Sequence, residues 1–493
     1  MGNRDFAQKL MDQAILAAKD NSKPSNLTTA YQLFASACLA DPTWGTSHYQ
    51  YGNNNFDLKK LDAAVGAYRR ALFCTDLEPR QRAQVMLNLG WCYHLLKRTQ
   101  DAYDITVAAN EVFPDMTQYW LHMSVLEGLF GNNKDSVHAA EQAIVFAQKE
   151  LDAAADPVYG GDTGFLYKQH LEARVCLAFA CLFAGQYQRG FELFELRFEW
   201  RLHSFLVFPY EKWKGEPGKT VFLAADQGLG DTLSFARFVE LACKRAKYIH
   251  AYIQPQLMRT FVHSLGHIPN LNLIPSGNAY PPADCWTTFV SLPYALGLND
   301  YEVRKTKQIA YMVSRIPTTW MVPDVKLHIG VAWAGSPLND IDQHRNIPFA
   351  RFLDLYQVPG IQLYGLQIGD RQQDLHESGA VSLVRDLSSY INDVADTVSI
   401  LQHLDLVICC ESALAHICAL AGREVWIPYS YQGRDWRLGQ RGEKMLWHPK
   451  ARIFRQGPDN EWGPVFIDII KALKERMDES DRAAGKTGEV SHR

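Results

Sequence analysis

The segment 220–235 reads TVFLAADQGLGDTLSF. Thr220–Ala225 is a short apolar run with β-branched and aromatic residues, the pattern of a buried parallel strand. It leads straight into Asp226-Gln227-Gly228-Leu229-Gly230-Asp231-Thr232, and Leu233–Leu241 has helical spacing. Strand, glycine loop and helix predict the opening of a Rossmann-like unit. Gly228 and Gly230 permit a tight turn and the close approach of a ligand to the backbone. The N–H groups of the helix's first turn favour an anionic or electron-rich group. The third glycine of a dinucleotide fingerprint is missing, and Asp231 stands in the loop instead. A carboxylate there is a poor neighbour for phosphate. It serves either as a helix N-cap or as a general base for an acceptor hydroxyl.

Downstream, a second α/β unit begins at Lys326. Strands are expected over His328–Ala334, Ile361–Gln367, Leu404–Cys410 and Glu424–Pro428, with helices over Phe349–Gln357 and Val394–His403. This alternation predicts a parallel sheet with ligands at the carboxyl ends of its strands. Glu411-Ser412-Ala413-Leu414-Ala415-His416 then opens a helix. Ser412 and Ala413 place small residues at its start, where backbone amides can grip a diphosphate. His416 follows about one turn later. It either reaches the phosphates or is a satisfied core histidine.

Upstream, the chain repeats itself. Gly52, Ala64 and Ala71 recur as Gly90, Ala102 and Ala109, at intervals of 12 and seven residues. Small–large–small triplets recur at Ala30/Phe34/Ala37, Ala64/Tyr68/Ala71, Ser136/Ala140/Ala143 and Gly190/Phe194/Arg197. Small residues let two helices of a hairpin approach, and Pro42 and Pro114 fall where a helix must end. The pattern predicts helical hairpins over about residues 11–205, interrupted by a loop insertion around Ala153–Gly164. Such arrays commonly bind a peptide or protein on a concave face. The alternatives are a brace for the following lobes or a homo-oligomer contact.

Composition narrows the class. A formal net charge of −4 with 21% charged residues gives no reason to expect a nucleic-acid or anionic-membrane partner. No run of about 18 apolar residues exists to span a bilayer, and the start MGNRDFAQKL has no signal-peptide pattern. The ten cysteines include no C-x-x-C pair, which points to a reducing, cytoplasmic setting and away from a structural zinc site. The 476–493 tail is polar and charged and reads as disordered.

Taken together, certain pieces resemble bacterial tetratricopeptide-containing glycosyltransferases related to the ADP-heptose:lipopolysaccharide heptosyltransferases. They are Gln227–Thr232, Ser291-Leu292-Pro293, Gly330–Gly335, Arg345-Asn346-Ile347-Pro348, Leu366-Gln367, Asp396-Thr397, Leu404–Ile408, Ala415-His416 and Asp435-Trp436-Arg437. The resemblance covers most of 190–475. It implies an all-α tetratricopeptide-like solenoid (1–205) followed by a GT-B fold: an acceptor-side Rossmann-like lobe (206–320) and a nucleotide-sugar-side lobe (321–475). It further implies an inverting, metal-independent transfer from a nucleotide-diphosphate sugar, with no other cofactor, to a protein or peptide recruited by the repeats. Asp231 falls on the proposed base. Gly228, Gly230, Arg345, Gln367, Glu411, Ser412, Ala413 and His416 fall on the donor-binding set. The family's usual Asp-Thr is Glu411-Ser412 here, so ADP-heptose is not assumed. His344, Arg434 and Arg437 are further candidates for the diphosphate, and with those cations available Asp340-Ile341-Asp342 reads as a polar loop rather than a metal motif. Transfer to an envelope saccharide or small molecule, and a non-catalytic scaffold with vestigial lobes, are the competing readings.

Overall fold

The computed structural model describes residues 3–19, 24–154, 163–200, 208–307, 309, 318–336 and 345–490. The chain divides into two compact units, Met1–Ala184 and Gly185–Arg493. The array expected to reach residue 205 is thus cut at 184, and the Gly190/Phe194/Arg197 triplet groups with the second unit. The expected loop insertion lies largely outside the described residues.

The first unit is a tetratricopeptide-like solenoid of nine helices among its described residues: α1 (Arg4–Lys19), α2 (Pro24–Ala40), α3 (Gly45–Asp57), α4 (Leu61–Phe73), α5 (Pro79–Leu95), α6 (Thr99–Val112), α7 (Thr117–Leu129), α8 (Asn133–Ala154) and α9 (Thr163–Phe183). They pair as hairpins α1–α2, α3–α4, α5–α6 and α7–α8, with α9 packed on α8. The repeated small residues explain the pairing. A Cβ on Gly52 would run into the Tyr68 ring, and one on Gly90 would lie 2.8 Å from Thr106 Oγ1. Ala64, Ala71, Ala102 and Ala109 are buried at the hairpin contacts. The first helices also touch one another, α1 with α3, α5 with α7 and α7 with α9, so they form one inner layer. That layer carries a row of half-buried carboxamides. Asn88 Nδ2 donates to Asn53 Oδ1 at 3.0 Å, and Gln118 Nε2 donates to Asn88 Oδ1 at 3.1 Å. Gln84 donates to both Asn88 and Gln118.

The second unit holds two sheets. The first contains β1 (Glu211–Lys212), β2 (Thr220–Ala224), β3 (Tyr248–Ile253), β4 (Leu271–Pro275) and β5 (Cys285–Thr288), in the order β1-β5-β2-β3-β4 and all parallel. The second contains β6 (Leu327–Ala332), β7 (Ile361–Gly365), β8 (Val384–Asp386), β9 (Leu406–Cys409), β10 (Val425–Tyr429), β11 (Lys444–Met445) and β12 (His448–Arg455), in the order β11-β12-β10-β9-β6-β7-β8. All its pairs are parallel except β11–β12. Continuous apolar strands suit this arrangement because helices cover both faces. Val221–Ala224 and Leu406–Cys409 are buried throughout.

Five helices of this unit matter below: α10 (Leu229–Phe235), α11 (Met258–Leu265), α12 (Val394–Leu401), α13 (Ala413–Leu420) and α14 (Trp462–Val490). Helix α14 runs through most of the stretch expected to be a disordered tail. The Lys, Glu, Arg, Met and Ala residues there are good helix formers, and they extend a helix already anchored by buried Val465, Phe466, Ile469 and Leu473. No described helix is long and apolar enough to cross a membrane.

Candidate functional site

In each sheet the winding reverses once. The first sheet runs β2 to β3 to β4, then returns to place β5 on the far side of β2. The second runs β6 to β7 to β8, then places β9 on the far side of β6. Crevices at the carboxyl ends of strands open at such reversals. The glycine loop leaves the end of β2, and Glu411-Ser412 leaves the end of β9. Helices α10 and α13, which follow these two turns, pack directly on each other.

Gly230 makes that packing feasible. A Cβ there would sit 2.9 Å from His416 Cδ2 and 3.4 Å from Ala413 Cα. Its lack of a side chain therefore serves helix–helix contact rather than ligand approach. Gly228 has open space, with Asp231 Oδ2 at 3.5 Å from the same hypothetical atom. Gly228 is also the N-cap of α10, which takes that position from Asp231. Asp231 lies in the first turn of the helix, not at its cap. Its half-exposed carboxylate faces Arg437 instead, with Oδ1 and Nη1 3.0 Å apart.

Arg437 is the centre of a chain of polar contacts. Its Nε donates to Asp435 Oδ1 at 2.8 Å and its Nη2 to Asp435 Oδ2 at 2.9 Å. Asp435 Oδ2 also lies 3.4 Å from His416 Nε2. His416 Nδ1 in turn is 3.2 Å from Ser234 Oγ. Ser234 is three residues after Asp231 on α10, so the chain leaves that helix at Asp231 and returns to it one turn later. Burial alone would raise the Asp435 carboxyl; the Arg437 guanidinium and the His416 hydrogen bond outweigh it and hold Asp435 well below the usual carboxylate range. Burial, aided by Arg437, pushes the His416 imidazole down. The ring is therefore neutral near pH 7. Nε2–H donates to the carboxylate, and Nδ1 accepts the serine hydroxyl. Both ring nitrogens are engaged, so the expectation that His416 grips phosphate gives way to a structural role between the lobes.

Two further expected donor residues have other partners. Gln367 Oε1 accepts from the backbone N–H of Trp333 at 3.1 Å and of Ala334 at 2.9 Å, and its Nε2 donates to Ile368 O. It shapes the turn after β6 instead of facing a nucleoside. Arg345 is buried, packs over Gly335 and donates to Ser336 O at 3.3 Å. His344, Asp340 and Asp342 lie outside the described residues. Arg434 is exposed.

Glu411, Ser412 and Ala413 do meet at the end of β9. Ser412 is the N-cap of α13 with extended backbone, but no side chain caps the helix. That leaves amide donors at a half-exposed site. Glu411 is buried, and its Oε2 has no hydrogen-bond partner. Burial first, then repulsion from Asp435, pushes its carboxyl up to about 8, against the pull of Arg345 and Arg437. It is held as a neutral acid near pH 7, and so differs from Asp435 beside it, which Arg437 and His416 keep ionised.

A second buried cluster escaped sequence reading. Arg197 Nη2 donates to Asp226 Oδ2 at 2.9 Å, Thr288 Oγ1 at 3.0 Å and Ser291 Oγ at 2.8 Å, while Nη1 donates to Glu195 Oε1 at 2.8 Å. It ties the ends of β2 and β5 to the segment before β1. Burial raises Asp226 despite Arg197, whereas Arg197 and Lys212 outweigh burial and lower Glu195. Elsewhere Arg259 on α11 reaches Asp396 Oδ1 at 2.9 Å and Asp393 at 3.1 Å on the start of α12, joining the two lobes. A cavity of about 650 Å³ opens at the amino ends of β9, β10 and β12, away from the strand ends that carry Glu411 and Ser412. Its Arg423 and Lys450 donate to the carbonyls of Gln402 and Gly422, just past the ends of α12 and α13, which accounts for them as helix C-terminal cations. No group of metal-binding side chains converges among the described residues.

No protein-family model matches the chain. Protein FlbA of Caulobacter vibrioides is 22% identical over 518 residues, spanning 92% of this chain and 82% of FlbA. Among solved structures, MamA is 13% identical over 42% of this chain and 99% of its own, with a TM-score of 0.30. YrrB, described as a TPR protein with an unusual peptide-binding site, is 14% identical over 41% of this chain and 89% of its own, with a TM-score of 0.28. A thermophilic TPR protein of Thermus thermophilus is 16% identical over 40% of this chain and 92% of its own, with a TM-score of 0.30.

Proposed function

We propose that the second unit is a GT-B-type glycosyltransferase. It moves a sugar, with inversion, from a nucleotide-diphosphate sugar to a protein or peptide recruited by the repeats. The observation that carries the reading is the meeting of Asp231 with Arg437 and the uncapped start of α13, brought together from two sheet reversals. An inverting transfer needs a carboxylate on one side and positive groups on the other. In the step, the acceptor oxygen bonds to the anomeric carbon as that carbon's bond to the diphosphate oxygen breaks. The acceptor's proton passes to Asp231, and the electron pair leaves with the nucleoside diphosphate. The leaving charge is met by Arg437 and by the amides at the Ser412 helix start. The row Asn53–Asn88–Gln118 on the inner layer of the repeats supports a polypeptide acceptor, because carboxamides pair with peptide groups whatever the side chains. The test is release of nucleoside diphosphate from a panel of nucleotide-diphosphate sugars, with melting temperature followed in parallel. If no donor is turned over and none raises the melting temperature, the reading is wrong.

A further inference from the structure

We propose that Arg437 is a ligand of the nucleoside diphosphate and that Asp231 occupies its place while the site is empty, so that loading the nucleotide frees the base. The inference rests on the reading of Asp231 as the acceptor's base. A guanidinium has five N–H donors in a fixed fork. Asp435 takes one edge of the Arg437 fork in a bidentate pair, and it also accepts the Arg437 backbone N–H at 2.9 Å. That edge is fixed, and His416 holds the same carboxylate from behind.

The other edge is different. Arg437 Nη1 lies 3.0 Å from Asp231 Oδ1, yet its N–H bonds are not aligned with any acceptor. The contact is a charge pair without a formed hydrogen bond. Asp231 is 31% exposed, whereas Arg437 is 10% exposed. An ion pair with a solvated partner is worth little, and a phosphate oxygen aligned on the fork is a stronger acceptor. Ser412 begins its helix beside this pair, across the α10–α13 contact, and no side chain caps those amides. Glu411 Oε2 is buried there without a partner. Once Asp231 moves off the buried Arg437 Nη1, a diphosphate finds an unaligned guanidinium edge, a set of backbone donors and a neutral carboxyl able to donate.

The exchange has a thermodynamic signature. Asp231 and the phosphate compete for Arg437 Nη1, so removing the Asp231 charge must tighten nucleotide binding. The test is calorimetric titration of the full chain with ADP, UDP, GDP, CDP and dTDP. Asp231→Asn should bind the recognised nucleotide about fivefold or more tightly than wild type, the lower range of ordinary site coupling. Arg437→Lys keeps a cation beside Asp435 but loses the fork, and should bind roughly tenfold more weakly. In the Arg437→Lys background, Asp231→Asn should confer no gain. Unchanged or weaker binding by Asp231→Asn overturns the exchange. So does an equal gain in both backgrounds, or a wild type that binds none of the five nucleotides. Turnover separates the two readings. An inactive Asp231→Asn with unchanged affinity leaves the base and removes the exchange. An active one with tightened affinity does the reverse.

Discussion

Asp231 of the first lobe and Arg437 of the second stand 3.0 Å apart across the packed helices α10 and α13. Because Gly228 holds the cap position of α10, Asp231 is relieved of a structural duty at its helix start. Asp231→Asn should therefore leave the fold intact while lowering turnover by about 100-fold or more, the scale of lost general-base catalysis. The measurement is single-turnover transfer, with the melting temperature as control. Near wild-type chemistry would remove Asp231 from the base role.

Gly228 and Gly230 look equivalent in sequence, but the structure separates them. Alanine at 230 places a methyl 2.9 Å from His416, whose ring is held at both nitrogens and has nowhere to go. Overpacking of that kind costs about 1–3 kcal/mol. Alanine at 228 meets only Asp231 Oδ2 at 3.5 Å and loses a modest cap preference, about 1 kcal/mol or less. Denaturant unfolding of both variants checks the order; a Gly230→Ala no less stable than Gly228→Ala would contradict the packing argument.

Glu411 gives a pH dependence with a definite sign. Its folded pKa of about 8 lies above the ordinary value of 4.5. Between these values the folded state holds a proton that the unfolded chain has released, so stability falls as pH rises. The contribution is fully present below the unfolded value and is lost through pH 8, at up to about 1.4 kcal/mol per pH unit. Buried histidines such as His416 titrate the other way, so the comparison must be internal. Glu411→Gln should flatten the decline in melting temperature between pH 6.5 and 8.5. Parallel curves for the two proteins would show that Glu411 is not held neutral.

Arg197 neutralises two buried acids, Glu195 and Asp226. Arg197→Met should cost about 3–5 kcal/mol, because it strands Asp226 and leaves Glu195 with Lys212 as its cation. A loss of unfolding free energy under a fifth of that size, measured by denaturant unfolding, would mean the cluster is open to water.

What sequence reading caught and missed follows from the range of the interactions. The pairing of Gly52 with Tyr68 is a packing rule repeated along the chain, and repetition made the solenoid legible. The apolar runs that stop at Asp226 and at Glu411 place the ends of their strands within one residue of Ala224 and Cys409, because a buried strand needs a local apolar run. The His416 contacts could not be read that way: Ser234 lies 182 residues away, and neither residue belongs to a period. The spacing of Arg197 fits a repeat triplet, whereas its partner Asp226 sits 29 residues on, in the glycine loop. Gln367 stands in the donor-binding set by the resemblance alone. Nothing in the sequence says that the backbone of Trp333 and Ala334 would claim it first.

The carboxamide row bears on the acceptor. Asn53, Asn88 and Gln118 lie on α3, α5 and α7, one for each successive hairpin, and remain half-buried on the inner layer. The carboxamide heads touch one another at 3.0–3.1 Å, so a bound polypeptide would meet them as one continuous polar strip, through the donors and acceptors they do not spend on each other. If the row serves only as glue between repeats, Asn53→Ala with Asn88→Ala should lower the unfolding free energy of the first unit by about 1 kcal/mol per lost hydrogen bond and leave transfer unchanged. If it recognises the acceptor backbone, the same pair should raise KM for a protein acceptor by roughly tenfold, with kcat and nucleotide affinity unaltered. The second outcome is expected, because carboxamides pair with peptide groups whatever the side chains, while Asn53 and Asn88 are remote in sequence from the proposed site residues. Steady-state transfer at saturating donor measures it, and an unchanged KM in a folded double variant would leave the row a purely structural feature.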